Sequence, residues 1–392
     1  MAGYLHSAAK VLSSVGSRWK KQSGKEDKTR YIPTLDGWRA LAILLVLAHH
    51  AGTAFYSEKA YYAFSPTRAG TWGVPVFFAL SGLLITKLLL EEFDRTGRIS
   101  LKSFYIRRAF RILPPATFYI LTLAALGLLV SRTELAGSLL FFRNYVPDSL
   151  GGLYTTHFWS LAVEEHFYLI WPGLLVWMGV RRGLPAAAAI SIALALWMSA
   201  DFHYHLFARL LPNANFEYRT DLRLGWLFCG CTMAFLLNRP ASREWLRRHF
   251  SWWIWAIAAA AIVYCMNYTL YLATFWIQIL IPLLMVGTTL HPGWAVSRLL
   301  DLHPVKWIGR ISYSLYIWQQ LFLIPSWDPK RFPMLQSWPV NILVVFLCAT
   351  VSYYWIEKPL IRLGHKLAGR YRAKVQKRDD VWSPAVAVSA DS

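Results

Sequence analysis

Long apolar stretches alternate with short polar ones along the whole chain. The apolar runs cover about residues 37–55, 71–90, 112–130, 158–180, 186–200, 222–237, 252–268, 271–290, 311–325 and 337–356. Most approach the roughly 20 residues that a helix needs to cross about 30 Å of hydrocarbon. Lipid offers the backbone no hydrogen-bond partner, so segments of this kind must bond within themselves as helices. Several runs are short, and tilt or flanking Trp and Tyr extends them. The pattern predicts an all-α fold: a polytopic integral membrane helical bundle of about ten transmembrane helices.

Composition agrees with this. Of 392 residues, 56% are hydrophobic and 16% charged, whereas a soluble domain carries about 25% charge. That excludes a disordered, collagen-like or small disulfide-stapled chain. The 41 Lys and Arg against 21 Asp and Glu give a net charge of +20. In a soluble protein this would suggest nucleic acid, but here its distribution gives a better account. With both termini cytoplasmic, 30 of the 41 basic residues fall on the inner side, 8 outside and three (Arg39, Lys87 and Arg223) within spans. This is the positive-inside bias. The division expected is a basic cytoplasmic arm over 1–30, a membrane domain over 31–365 and a cytoplasmic tail over 366–392. Residues 1–36 lack the apolar centre of a cleavable signal, so the first span is expected to act as its own insertion signal. Cys229, Cys231, Cys265 and Cys348 lie in or beside apolar runs and read as small core residues.

An ionisable side chain within the bilayer costs about 2.5–3.5 kcal/mol, so each one asks for a reason. The first span, LDGWRALAILLVLAHH, places Asp36 and Arg39 at its cytoplasmic mouth and His49 and His50 well inside. Arg39 and His50 are about 16 Å apart along a helix, which puts His50 near the midplane. The fourth span, HFWSLAVEEHFYLIWP, carries Glu164 and Glu165 at a similar depth. If the two helices are neighbours, a carboxylate fixes the tautomer of the imidazole and raises its basicity. Alternatively, the two glutamates face a water-filled vestibule. The segment SFYIRRAFRILPP brings Arg107, Arg108 and Arg111 to a membrane mouth ahead of a helix expected to carry Pro114 and Pro115 in its first turn. Guanidinium groups suit phosphates, although three arginines there also serve as an ordinary positive-inside anchor.

Together these segments resemble the bacterial acyltransferase type 3 family of integral-membrane O-acyltransferases. The first helix of that family carries Arg, ten residues, then His; Arg39 and His50 meet that spacing and His49 does not. FFALSGLLI with Ser81 and Gly82 resembles the second-helix motif, and FYIRRAFRILPP the RRxxR segment. HFWSLAVEEHFYLIWP, through Trp159, Ser160, Leu161, Glu164, Glu165, Phe167 and Tyr168, resembles the WSLxxExxFY segment. ISYSLYIWQ and YYWIEKPLIR resemble the closing segments. One departure is Gln319, where the family often has His after Leu-Trp. Some members add a soluble esterase-like domain, and no such region follows Glu357 in this sequence.

The resemblance implies transfer of an acyl group, often acetyl, from acyl-CoA to a hydroxyl of a carbohydrate, glycolipid or similar acceptor, in the inner membrane of a bacterium. It implies a catalytic His50 and donor handling by the RRxxR arginines. On that footing, acyl-CoA docks at Arg107, Arg108 and Arg111, and His50 is the general base. Glu164 or Glu165 orients it, and Arg39 with Asp36 shapes the donor entrance. Ser81, Trp159, Tyr168 and Ser314 are the candidates for binding substrate or the oxyanion. An acyl-His intermediate is a second route. No metal or nucleic acid is expected. A multi-pass transporter or flippase using the same His and Glu as a proton relay is the alternative from another class. A metal-dependent membrane oxidase lacks its expected HxxHH clusters.

Overall fold

The computed structural model describes residues 32–58, 70–204, 218–267 and 273–382. The expected basic arm over 1–30 lies outside the described residues. All regular structure in the described chain is helical, and every apolar run has a helix. The main helices are α1 (Pro33–Phe55), α2 (Gly73–Thr96), α3 (Leu101–Ala125), a short α4 (Arg132–Leu139), α5 (Phe158–Met178), α6 (Val180–Tyr204) and α7 (Thr220–Asn238). There follow α8 (Pro240–His249), α9 (Trp252–Asn267), α10 (Ala273–Leu290), α11 (Ala295–Leu300), α12 (His303–Arg310), α13 (Ser312–Phe322) and α14 (Val340–Ser352). A π turn over Tyr353–Glu357 joins α14 to α15 (Lys358–Trp382). Five stretches are long and apolar enough to cross a membrane by length and composition: Thr34–Phe55, Gly70–Thr96, Val180–Asp201, Thr220–Asn238 and Val340–Lys374. Trp252–Cys265 and Thr274–Leu290 are shorter apolar helices. Apolar side chains such as Leu121, Leu169, Trp177, Leu343 and Trp355 face outward, as a lipid-facing surface requires.

α2 and α7 pack backbone to backbone. A Cβ on Gly82 would lie 1.8 Å from the Leu227 carbonyl oxygen, and one on Gly230 would lie 2.1 Å from that of Ala79. Only glycine allows this approach, and small residues at helix interfaces are the usual means of close packing in membranes. It sets Ser81, next to Gly82, facing α5.

Three boundaries differ from the sequence reading. The segment 181–185, expected as a loop, lies inside α6. The arginine segment is continuous with the apolar helix after it, so Pro114 and Pro115 sit in the middle of α3 rather than in its first turn. Ser100 caps α3 by accepting the Ser103 N–H, and the Glu92 carboxylate accepts the Ser100 N–H at 3.1 Å. The tail from 366, expected to carry little pattern, is helical to Trp382. Ala368 is buried, its carbonyl accepts from the Ser103 hydroxyl, and Gly364 lies against Phe110 of α3.

Candidate functional site

Polar side chains gather in two places inside the bundle, one towards each end of α1. The inner group draws on six segments. Asp36 and Arg39 come from α1, Ser81 from α2, Arg108 and Arg111 from α3, Glu164, Glu165 and Tyr168 from α5, Ser314 from α13, and Glu357 from the π turn. The Ser81 hydroxyl donates to Glu164 Oε1 at 2.8 Å, and the Tyr168 hydroxyl donates to Oε2 at 3.2 Å. Ser314 donates to Glu357 Oε2 at 2.8 Å. The Arg108 guanidinium lies over the Tyr168 ring at 5.1 Å and within electrostatic reach of Glu164 and Glu165. Arg111 faces Arg39 and Glu357. Asp36 holds Arg39 at 3.8 Å and Arg310 at 3.6 Å. Arg39, Arg108 and Arg111 thus stand among four carboxylates, those of Asp36, Glu164, Glu165 and Glu357. A π turn often marks a functional site, and here it turns Glu357 inward.

At the other end of α1, a cavity of about 450 Å³ opens between α1, α2, α5, α7 and α13. His49, His50, Trp159, Arg223, Tyr316 and Gln320 are among its walls, and the connecting segments add Trp72, Thr156, His157 and Tyr218. His50 is half-buried, and its ring meets that of His49 edge-on at 5.1 Å. Trp159 stacks on Tyr218 at 4.5 Å, with the Arg223 guanidinium 5.6 Å from its ring centre. A buried knot supports this wall. Glu134 accepts from the Val130 N–H at 2.7 Å and the Thr155 hydroxyl at 2.6 Å, and Arg143 donates to Thr155 at 3.1 Å. The knot fixes Leu153, Thr156 and His157 beside the cavity. Among the described residues no group of three His, Cys, Asp or Glu side chains stands as metal ligands would.

Several expectations are corrected by this layout. Glu164 and Glu165 do not meet His50: Glu164 is engaged by Ser81 and Tyr168, and both glutamates face Arg108. The depth reckoning took Arg39 as the edge of the membrane domain. Arg39 instead sits inside with Arg111 and Glu357, so His50 lies farther towards the opposite end, level with the connecting segments. Arg107 parts from its neighbours: it lies 3.4 Å from Glu92, which also pairs with Arg372 of α15. It therefore ties α2, α3 and α15 together. Of the four substrate candidates, Trp159 lines the cavity, while Ser81, Tyr168 and Ser314 belong to the inner group. Sequence reasoning assigned no role to Tyr316, Gln320, Arg223 or Glu357. Arg223 carried a usable signal as a charge within a span; Tyr316 and Gln320, four apart on one helical face, carried one only in retrospect.

A family model described as an acyltransferase domain matches residues 32–357. The chain belongs to the acyltransferase type 3 family. Among acyltransferase relatives, YrhL of Bacillus subtilis (strain 168) is 29% identical over 395 residues, covering 92% of this chain and 60% of its own length. The peptidoglycan O-acetyltransferase OatA of Listeria monocytogenes is 28% identical, covering 86% of this chain and 56% of its own length. The O-acetyltransferase OatA of Staphylococcus aureus (strain NCTC 8325 / PS 47) is 26% identical, covering 88% and 60%. The chain therefore spans about 60% of the length of the curated relatives it matches. No solved structure matches it.

Proposed function

We propose that the protein is a multi-pass enzyme of a bacterial inner membrane, with both termini cytoplasmic, that moves an acetyl group from acetyl-CoA to a carbohydrate hydroxyl. The acceptor class proposed is the glycan of peptidoglycan, because relatives bear that name. One observation carries the reading. His50 lines an aromatic-walled cavity, and on the same helix, eleven residues back, Arg39 joins a cluster of guanidiniums. Eleven residues are about three turns, so both side chains lie on one face of α1 about 16 Å apart.

In this reading Arg108 and Arg111 hold the donor phosphates, with Arg39 on the path inward. Glu164, Glu165 and Glu357 keep those guanidiniums apart and oriented. The acceptor enters the cavity, where Trp159 and Tyr218 offer flat apolar faces to a sugar. His50 takes the proton of the acceptor hydroxyl as its oxygen attacks the thioester carbonyl, then returns a proton to the departing thiolate. The positive-inside distribution supports donor entry at the arginine end.

The test uses purified protein in lipid nanodiscs with labelled acetyl-CoA and soluble peptidoglycan strands. Acceptor-dependent thiol release and label transfer are expected. His50→Ala is expected to reduce the rate at least about 100-fold, the low end for a general base, while His49→Ala retains most activity. Near-normal transfer by His50→Ala refutes the role of the imidazole.

A further inference from the structure

The part of the cavity wall that α13 supplies contains an amide with nothing to bond. Gln320 is only 3% exposed, yet it lines the cavity that holds His50. Its Oε1 is buried without a hydrogen-bond partner, and its amide nitrogen makes no hydrogen bond among the described residues. A buried polar group left unpaired is destabilising, and native folds retain few. The helical turn that carries it is nevertheless anchored. Tyr316, one turn earlier on α13, also lines the cavity, and its hydroxyl is fixed by the His157 carbonyl at 2.9 Å and the Ser160 hydroxyl at 2.6 Å. Gln319, its neighbour in sequence, turns about 100° away along the helix and is absent from the cavity wall. The polar function that α13 presents to the cavity without a partner is thus that of Gln320.

We propose that the Gln320 amide N–H is the donor that holds the acyl carbonyl oxygen during transfer. The inference rests on the acyl-transfer reading above. As the acceptor oxygen bonds to the carbonyl carbon, its proton passes to His50 and the carbonyl π pair moves onto oxygen. Gln320 stabilises that oxyanion. The pair then re-forms C=O, the carbon–sulfur bond breaks, and the thiolate takes the proton from His50. Side-chain amides serve elsewhere as oxyanion donors, and losing one costs about 10²–10³ in kcat.

The experiment compares Gln320→Met and Gln320→Asn with the parent in the acetyl-CoA and peptidoglycan-strand assay, alongside thermal unfolding in the same nanodiscs. Gln320→Met is expected to lower kcat about 10²–10³-fold with little change in KM for either substrate. Its unfolding midpoint should be unchanged or raised, because replacing an unpaired buried amide by an apolar group of like shape is neutral or stabilising. Gln320→Asn, which retains a donor, should be the more active of the two variants. Parent-like kcat in Gln320→Met overturns the proposal while leaving the acyl-transfer reading intact. So does a loss accompanied by a lowered midpoint and no advantage for Gln320→Asn, which marks a structural role. A parent protein unable to transfer acetyl overturns both.

Discussion

On the proposed reading, two adjacent arginines divide donor binding from scaffolding. Arg108 points into the inner group, over the Tyr168 ring and towards Glu164, whereas Arg107 is tied to Glu92 beside Arg372. A guanidinium about 4 Å from a phosphate charge gains about 4 kcal/mol at an effective dielectric near 20. Hydrogen bonds to charged groups net about 1.5–3 kcal/mol. Arg108 is half-buried and already neutralised in part by Glu164 and Glu165, so a gain of about 2 kcal/mol is expected within that range. Arg108→Ala should then weaken acetyl-CoA binding about 30-fold. Arg107→Ala removes one of the two arginine partners of Glu92, which keeps Arg372 and the Ser100 N–H. It should lower stability by about 1 kcal/mol or less, as a partly exposed pair does, and leave donor affinity nearly unchanged. Isothermal titration of the purified proteins with acetyl-CoA at two salt concentrations measures this, since phosphate contacts weaken as ionic strength rises. Equal losses in the two variants, or none in Arg108→Ala, would refute the division of labour.

Two further outcomes bear on the scaffold. Gly82→Ala places a methyl group against the Leu227 backbone, so it should lower the unfolding midpoint, with overpacking of about 1–3 kcal/mol, and reduce activity by displacing Ser81; an unshifted midpoint would show that α2 and α7 can part freely. Glu134→Gln leaves the buried Arg143 with less compensation, so thermal unfolding should report a loss of about 1–3 kcal/mol, with proteolysis near residues 150–156 as an independent readout.

The helical bundle was legible because lipid demands long apolar helices, and all ten apolar runs correspond to helices. The positions of Arg39, Arg108 and Glu164 were legible as charges needing a reason. What the sequence concealed was depth and partnership. Arg39 looked like a boundary because nothing in LDGWRALAILL shows that Glu357 and Arg111 will meet it from distant helices. Glu164 and His50 seemed equally deep because both depths were reckoned from assumed edges. The helical character of 358–382 was hidden by its many charges, which make sense only against Glu92, Lys102 and Tyr371: Arg372 pairs with the first, and the Lys102 ammonium lies 4.6 Å from the Tyr371 ring centre. Gln320 reads as an unremarkable polar residue until its neighbours are known.

The first helix also acts as a gauge. Arg39 and His50 share one face only because the number of residues between them returns the helix to almost the same angle after three turns. One added residue in that interval would swing His50 aside by about 100° and bring His49 into its station. One residue fewer would bring Ala51 there instead. The paired histidines therefore leave this helix tolerant of a slip in one direction and defenceless in the other.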